Sequence, residues 1–432
     1  TAAAARFRLR VDALATPSAR REAARAVADV AARAGTAAAT AADAMLARAD
    51  DPDPAVRAAV LRFIGSARLS GRAGLLAERL ASPNDEEGAA AEAALRALGP
   101  AALDVLLQEL SFGRRSVRDA IVPVLRDLAV EPGRFQSQLR RELDAVAERL
   151  LEIAALRSED APLLLQRLEE RAQGGLHTAF VLLAALHDDD RIVDLGDALR
   201  RPQSAHTRAL RVEALEGLLS PEERELLIPL VEDPRLEPRI EAAARLLGHG
   251  PLSREAALEA IRKEDDALTT LLLAGSLGPR GRDGARGGPD PSLGEAELLL
   301  QLRRFRTFQH LTVRQLADVA KLARHEVVPA GVVIVREGEQ ENDLYAIVEG
   351  RVHVTKQDVF LSELRSGEIF GELSFFDGGP RSATVTTVEP TRVLRIEGRD
   401  LMALIEDLPA IAIAICRTLS VLVRSLSLRV GG

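Results

Sequence analysis

The stretch Phe370-Gly371-Glu372-Leu373-Ser374-Phe375-Phe376-Asp377-Gly378-Gly379-Pro380-Arg381-Ser382-Ala383-Thr384-Val385 holds the residues whose types and spacing best suit chemistry. Glycines before and within a short helical turn let backbone N–H groups converge on an anion. An Arg entering the next strand supplies a fork-shaped cation that matches phosphate. Glu372 precedes Arg381 by nine residues. Its carboxylate cannot favour a phosphate, so it must face a hydrogen-bond donor such as a sugar hydroxyl. A sugar phosphate with one accessible negative charge fits both side chains.

This stretch resembles the phosphate-binding cassette of cyclic-nucleotide-binding domains, F-G-E-[LI]-(x)n-R-[ASTQ]-A-[TS]-[VA]. Upstream, Asn342-Asp343-Leu344-Tyr345-Ala346-Ile347-Val348-Glu349-Gly350-Arg351-Val352 resembles the family's D-x-[LM]-Y-x-[IL]-x-x-G-x-[VL] strand pair. Asn342 stands where Asp is usual, and Asn suits a turn equally well. Pro329-Ala330-Gly331 and Glu337-Gly338-Glu339 fall where the family's turns occur, and the resemblance covers about residues 298–428. It implies a cyclic mononucleotide ligand, with Glu372 on the ribose 2′-hydroxyl and Arg381 on the cyclic phosphate. Gly371, Ser382 and Ala383 would offer backbone donors, and the Ser382 hydroxyl a further contact to phosphate or to a guanine amino group. Ser after the Arg resembles bacterial cyclic-AMP sensors, whereas Thr there points to cyclic GMP. Cyclic AMP is therefore the expected ligand and cyclic GMP the alternative, with no metal expected.

Other chemistry fares less well. His187-Asp188-Asp189-Asp190 has metal-like composition, but acidic caps between helices explain it better. The His residues form no H-E-x-x-H or comparable pair, and no nucleophile elbow, Walker loop or dinucleotide fingerprint stands between a strand and a helix. A non-enzyme is expected. The single cysteine, Cys416, excludes an intrachain disulfide and any multi-thiolate metal site. It follows the apolar run Ile411 to Ile415 and reads as core.

The elements that must position the cassette have their own signatures. β-branched alternation with regular glycines at residues 327–335, 344–348, 350–354 and 382–396 predicts short strands of a small barrel or roll. A helical stretch precedes it at residues 295–324, and helix returns at residues 400–429. There Ile415, Leu419, Leu422 and Leu426 form an apolar seam that could close over the base, pair with a second copy in a homodimer, or dock on the N-terminal half. Before the barrel, residues 278–292 are dense in Gly and Pro and read as a flexible linker.

Residues 1–277 have apolar residues at helical spacing. Asp53-Pro54-Ala55-Val56-Arg57 can start a helix, with Asp53 as cap, Pro54 first in the helix and Gly65 ending it. Val56, Ala59, Val60, Phe63 and Ile64 would form its buried stripe. Related segments recur at Ala93–Gly99, Val117–Ala120 and Glu237–Gly248. They resemble HEAT repeats, whose first helix commonly reads D-P-x-x-x-V-R-x-x-A. The expected architecture is multidomain. A HEAT-like α-solenoid spans 1–277, a Gly/Pro linker 278–294 and a cyclic-nucleotide-binding domain 295–432, a β-barrel or roll flanked by helices.

The 432-residue chain carries 57 Lys plus Arg against 65 Asp plus Glu, a net charge of -8, so it offers nucleic acid no overall basic field. No apolar run approaches the roughly 20 residues that span a bilayer. The expected function is a cyclic-nucleotide-responsive regulatory protein, cytoplasmic, whose solenoid presents a surface to a protein partner. The chain starts at Thr1, without Met, so a piece of a longer polypeptide is expected, and with no helix-turn-helix before Gly432 a transcription factor of the cyclic-AMP receptor type is not expected. The alternative rests on residues 206–219 and 226–233, which look like helical regions in fusions of an ATP/ADP-translocase-type carrier with a cyclic-nucleotide-binding domain. On that reading the chain is a carrier's regulatory region, tethered by a membrane domain upstream of Thr1.

Overall fold

The computed structural model of the chain describes residues 13–15, 19–34, 42–112, 115–128, 132–264, 266–277, 291–409, 411–413, 415–416 and 420. Two compact units emerge, one from residues 1–154 with 171–251 and the other from 155–170 with 252–432.

The N-terminal part is a succession of helices: α1 (Arg20–Ala34), α2 (Pro54–Ser66), α3 (Ala73–Arg79), α4 (Asp85–Leu98), α5 (Leu103–Phe112), α6 (Arg115–Asp127), α7 (Pro132–Leu156) and α8 (Pro162–His187). It continues through α9 (Arg191–Leu199), α10 (Ala205–Glu216), α11 (Pro221–Val231), α12 (Leu236–Leu247), α13 (Arg254–Lys263) and α14 (Ala267–Leu277). Asp53 caps α2 as expected, its carboxylate accepting from the Ala55 amide at 3.0 Å. The expected stripe is buried, but so are Ala55, Ala58 and Leu61, because helices pack on α2 from more than one side. Gly65 does not end α2. It lies inside the helix, where a Cβ would sit 2.6 Å from the Ala94 Cα of α4, so it permits close packing rather than termination. Arg57 reaches the Asp51 carbonyl at 2.7 Å and the buried Glu87 of α4, tying α2 to α4.

The acidic run after α8 is spent on arginines. Asp189 accepts from the Arg191 amide and guanidinium, and Asp188 and Asp190 pair with Arg126. Asp190 stands at the N-cap of α9 but makes no side-chain cap bond. Among the described residues no group of three His, Cys, Asp or Glu side chains could hold a metal, and no helix is long and apolar enough to cross a membrane.

The C-terminal part begins with α15 (Pro291–Arg304) and α16 (Val313–Leu322). The stretch expected to be helical up to residue 324 is interrupted at residues 305–312 and turns to strand at Ala323. The strands are β1 (Ala323–Val328), β2 (Val333–Val335), β3 (Leu344–Glu349), β4 (Arg351–Lys356), β5 (Val359–Arg365), β6 (Ile369–Phe370), β7 (Thr384–Thr387) and β8 (Thr391–Ile396). A short helix α17 (Glu372–Asp377) sits between β6 and β7, and α18 (Gly398–Asp407) follows β8. The strands form two antiparallel sheets in the orders β1-β8-β3-β6 and β2-β7-β4-β5. Their core joins Val335, Tyr345, Ile347, Val352, Phe370, Val385 and Val393, with the Tyr345 and Phe370 rings stacked 5.0 Å apart. The chain is thus multidomain, all-α followed by an antiparallel β-roll flanked by helices.

Cys416, expected in the core, is exposed, while Ile415 beside it is buried. A helix holding both as neighbours turns them to different faces. Leu419, Leu422 and Leu426 of the apolar seam lie outside the described residues, as do residues 278–290.

The helices flanking that Gly/Pro segment, α14 and α15, pack on each other, with Gly275 and Ala296 at the contact point. Limited proteolysis is expected to cut first within the Gly- and Pro-rich residues 278–290. Because α14 and α15 pack together, the two fragments should co-elute on gel filtration and separate only in denaturant. Fragments that part without denaturant would contradict that packing.

Candidate functional site

Strand β6 ends at Phe370, held opposite Tyr345 of β3, and the chain then turns sharply at Gly371 into α17. Gly371 has φ +91°, in the left-handed region that favours glycine, and its missing side chain matters as much as its backbone. A Cβ there would lie 2.5 Å from the Asp343 carbonyl and 2.6 Å from Arg381 Nη1. The turn therefore brings backbone and guanidinium within touching distance.

Arg381 enters just before β7. Its main chain is pinned on both sides by the loop after β2: its amide donates to the Glu339 carbonyl at 2.9 Å and its carbonyl accepts from the Gly338 amide at 2.8 Å. The residue is only 3% exposed. Nη1 donates to Ser374 Oγ at 2.8 Å and to the Gly371 carbonyl at 3.2 Å, while Nη2 donates to the Asp343 carbonyl at 2.8 Å. Glu341 Oε2 lies 3.4 Å from Nη2, and the guanidinium carbon is 5.9 Å from the Tyr345 ring centre. Nε is buried and has no hydrogen-bond partner among the described residues. A buried guanidinium with one unpartnered donor has the charge and fork geometry to pair with an oxyanion.

Glu372 is the first residue of α17 and is half-buried. Burial pushes its carboxyl above the ordinary glutamate value, against the opposing pulls of its own backbone amide and of the Arg381 charge. Gly371, Glu372 and Arg381 thus converge on one turn. Ser382 is exposed and Ala383 half-buried, both directly after the buried Arg381.

Asp343, Ser374, Tyr345, Glu341 and Arg395 carry structural roles at this site that spacing did not assign. The carboxylate at the turn before β3 belongs to Asp343, not to the neighbouring Asn342. Its Oδ2 accepts from Arg395 Nε at 2.6 Å and its Oδ1 from the Gly398 amide at 3.0 Å, which opens α18. Hydrogen bonding to Asp343 raises the Arg395 guanidinium further above its already high value. Tyr345 donates its hydroxyl to Glu341 Oε1 at 3.1 Å, and burial, reinforced by Glu341, pushes the phenol upward. One residue, Asp343, thereby holds Arg381 through its carbonyl and the following helix through its carboxylate.

Comparison with known proteins agrees with this geometry. The family model for the cyclic nucleotide-binding domain matches residues 325–407, spanning all but the first two residues of β1 through to the end of α18. The chain is 39% identical over 111 residues to a cyclic nucleotide-gated potassium channel of Rhizobium etli, covering 26% of this chain and 31% of the channel. It is 36% identical over 94 residues to the cyclic AMP receptor protein of Thermus thermophilus, covering 21% and 44% of the two chains. It is 30% identical over 124 residues to a CRP-like cAMP-activated global transcriptional regulator of Mycobacterium tuberculosis, covering 28% and 55%. The chain spans between about a third and about half of the length of these relatives. It carries a C-terminal cyclic nucleotide-binding domain, and none of these three relatives is a nucleotide carrier.

Proposed function

We propose that the chain is a cyclic-nucleotide-responsive regulatory protein that binds a cyclic mononucleotide through Glu372 and Arg381. Its N-terminal helices would act as a HEAT-like scaffold for a protein partner. The observation that carries the reading is Arg381, buried, fixed by three protein acceptors and left with an unpartnered Nε. A spare buried donor costs a protein about 1–3 kcal/mol, and a phosphate ligand removes that cost. Glu372 one residue after the Gly371 turn supplies the acceptor for a ribose hydroxyl, with Gly371, Ser382 and Ala383 as further contacts. Cyclic AMP is the first choice, supported by Ser at position 382 and by the cyclic-AMP names of two of the relatives. Titration calorimetry with cyclic AMP and cyclic GMP tests the reading, and the absence of heat with both would refute it.

The raised pKa of Glu372 gives this binding a pH signature. As an acceptor the carboxylate must be ionised, so affinity should fall as pH drops through its elevated pKa, sooner than an ordinary glutamate would allow. Stability runs the other way. The folded state holds the proton to higher pH than the unfolded state, so this group's contribution is lost as pH rises from the unfolded towards the folded pKa. At pH 7 Glu372→Gln should therefore leave the ligand-free protein at least as stable as wild type. It should weaken cyclic nucleotide binding about tenfold or more, the worth of one charge-assisted hydrogen bond. Calorimetry and thermal melts on the same preparations check both; a variant that melts early yet binds normally would reverse the assignment.

A further inference from the structure

Four orphan amides open every α-helix, and in α16 one of them is satisfied from far away in sequence. Thr312 and Gln315 form a capping box that serves two of these positions. The Val313 amide instead donates to the Glu170 carboxylate of α8, at 2.8 and 3.1 Å to its two oxygens. Gln166, one turn earlier on α8, donates to the Leu311 carbonyl at 3.3 Å and to Glu170 Oε1 at 2.7 Å. Arg303 at the end of α15 completes the cluster, donating to Leu311 O at 2.8 Å and to Gln166 Oε1 at 2.5 Å. Beside it Arg167 pairs with Asp266 at 2.9 Å. The segment so gripped is largely buried, with Phe305, Thr307, Phe308, Leu311 and Val313 almost wholly covered. Residues 162–170 of α8 thus clamp the loop that leads into the β-roll, while residues 171–187 of the same helix belong to the first unit.

We infer that α8 is the helix on which the N-terminal repeats read ligand occupancy, through the Gln166–Glu170 clamp on residues 303–313. The inference rests on the proposed ligand site and adds its output. Contacts run continuously from that site to the clamp. The Arg381 guanidinium bonds the Asp343 carbonyl, the Asp343 carboxylate bonds the first amide of α18, and α18 packs against α16. A phosphate that draws Arg381 donors away from protein acceptors changes the bonds made at Asp343, and α16 lies at the far end of that chain of contacts. If ligand and clamp favour different populations of one arrangement, each must alter the other by the same factor.

Hydrogen exchange with and without cyclic AMP or cyclic GMP tests this, together with calorimetry on Glu170→Ala and Gln166→Ala. Gln166→Ala keeps the carboxylate at Val313 and carries the same expectation if Glu170→Ala does not fold. Nucleotide should change exchange in residues 162–170 and at 313–316 as well as in 370–385, and breaking the clamp should shift nucleotide affinity at least threefold. Protection of the cassette with α8 indifferent, or affinities within twofold of wild type, would overturn the inference and leave the binding site standing. A cassette unprotected by either nucleotide would remove site and output together.

Discussion

Arg381→Ala is expected to abolish measurable heats of cyclic nucleotide binding and to lower the melting temperature of the ligand-free protein. Each charge-assisted hydrogen bond to phosphate is worth about 1.5–3 kcal/mol, so two of them account for roughly a 100-fold loss or more. The stability loss has a separate origin. Ser374 Oγ, the Gly371 carbonyl and the Asp343 carbonyl all lose the donor that the buried guanidinium gives them. Arg381→Lys separates charge from geometry, since an ammonium keeps the charge and cannot reproduce the fork that meets three acceptors. It should bind nucleotide nearly as poorly as the alanine variant. Binding by Arg381→Lys close to wild type would mean that Arg381 acts as a point charge and that the acceptor geometry around it is incidental.

The comparison with Glu372→Gln sharpens this. On the proposed reading Arg381 serves both fold and ligand, so its loss should move both measurements. Burial opposes the charge of Glu372, and on the same reading that residue serves the ligand alone. Two residues of one cassette should therefore part company in a melt while agreeing in a titration.

Much of the candidate site is legible in the sequence because its side chains fall within one contiguous stretch. A glycine turn, a carboxylate and a guanidinium before a strand can be read without knowing the fold. The acceptors that orient Arg381 cannot, since two of the three are backbone carbonyls, at Gly371 and Asp343, which carry no residue-type signal. Asp343 is separated from Arg395 by 52 residues, and only the pairing of β3 with β8 brings them together. The roll itself is visible where strands alternate. β5 escapes because Val359, Phe360 and Leu361 are all exposed and the register with β4 shifts beside them, erasing the period of two. β6 is two residues long, too short to show a period. In the helical half the 3.6-residue pattern is plain, but Gly65 shows the limit of punctuation. A glycine that admits a neighbouring helix looks the same in sequence as one that ends its own.

Gly371→Ala should be as damaging as removing Arg381, though position 371 would contribute no side chain to a ligand. An L-residue at φ +91° pays a backbone penalty of about 1–2 kcal/mol. The new methyl must also displace the Asp343 carbonyl and Arg381 Nη1, which stand 2.5 and 2.6 Å from the Cβ position. Neither yields cheaply, because the Asp343 carbonyl accepts from Nη2 of the same guanidinium, Nη1 is bonded to Ser374 and Gly371, and the Asp343 carboxylate anchors α18. With one buried hydrogen bond lost as well, destabilisation of about 3 kcal/mol or more is expected, along with loss of nucleotide binding. Gly378, the C-cap of the same helix, supplies the control. It too has positive φ, +64°, but a Cβ there meets nothing within 4 Å. Gly378→Ala should therefore cost only the backbone penalty and leave affinity within about twofold, since no ligand contact changes. Denaturant titrations and calorimetry on the two variants decide the matter. Equal losses would show that the backbone conformation alone matters, and an unharmed Gly371→Ala would mean that Arg381 does not sit against the turn.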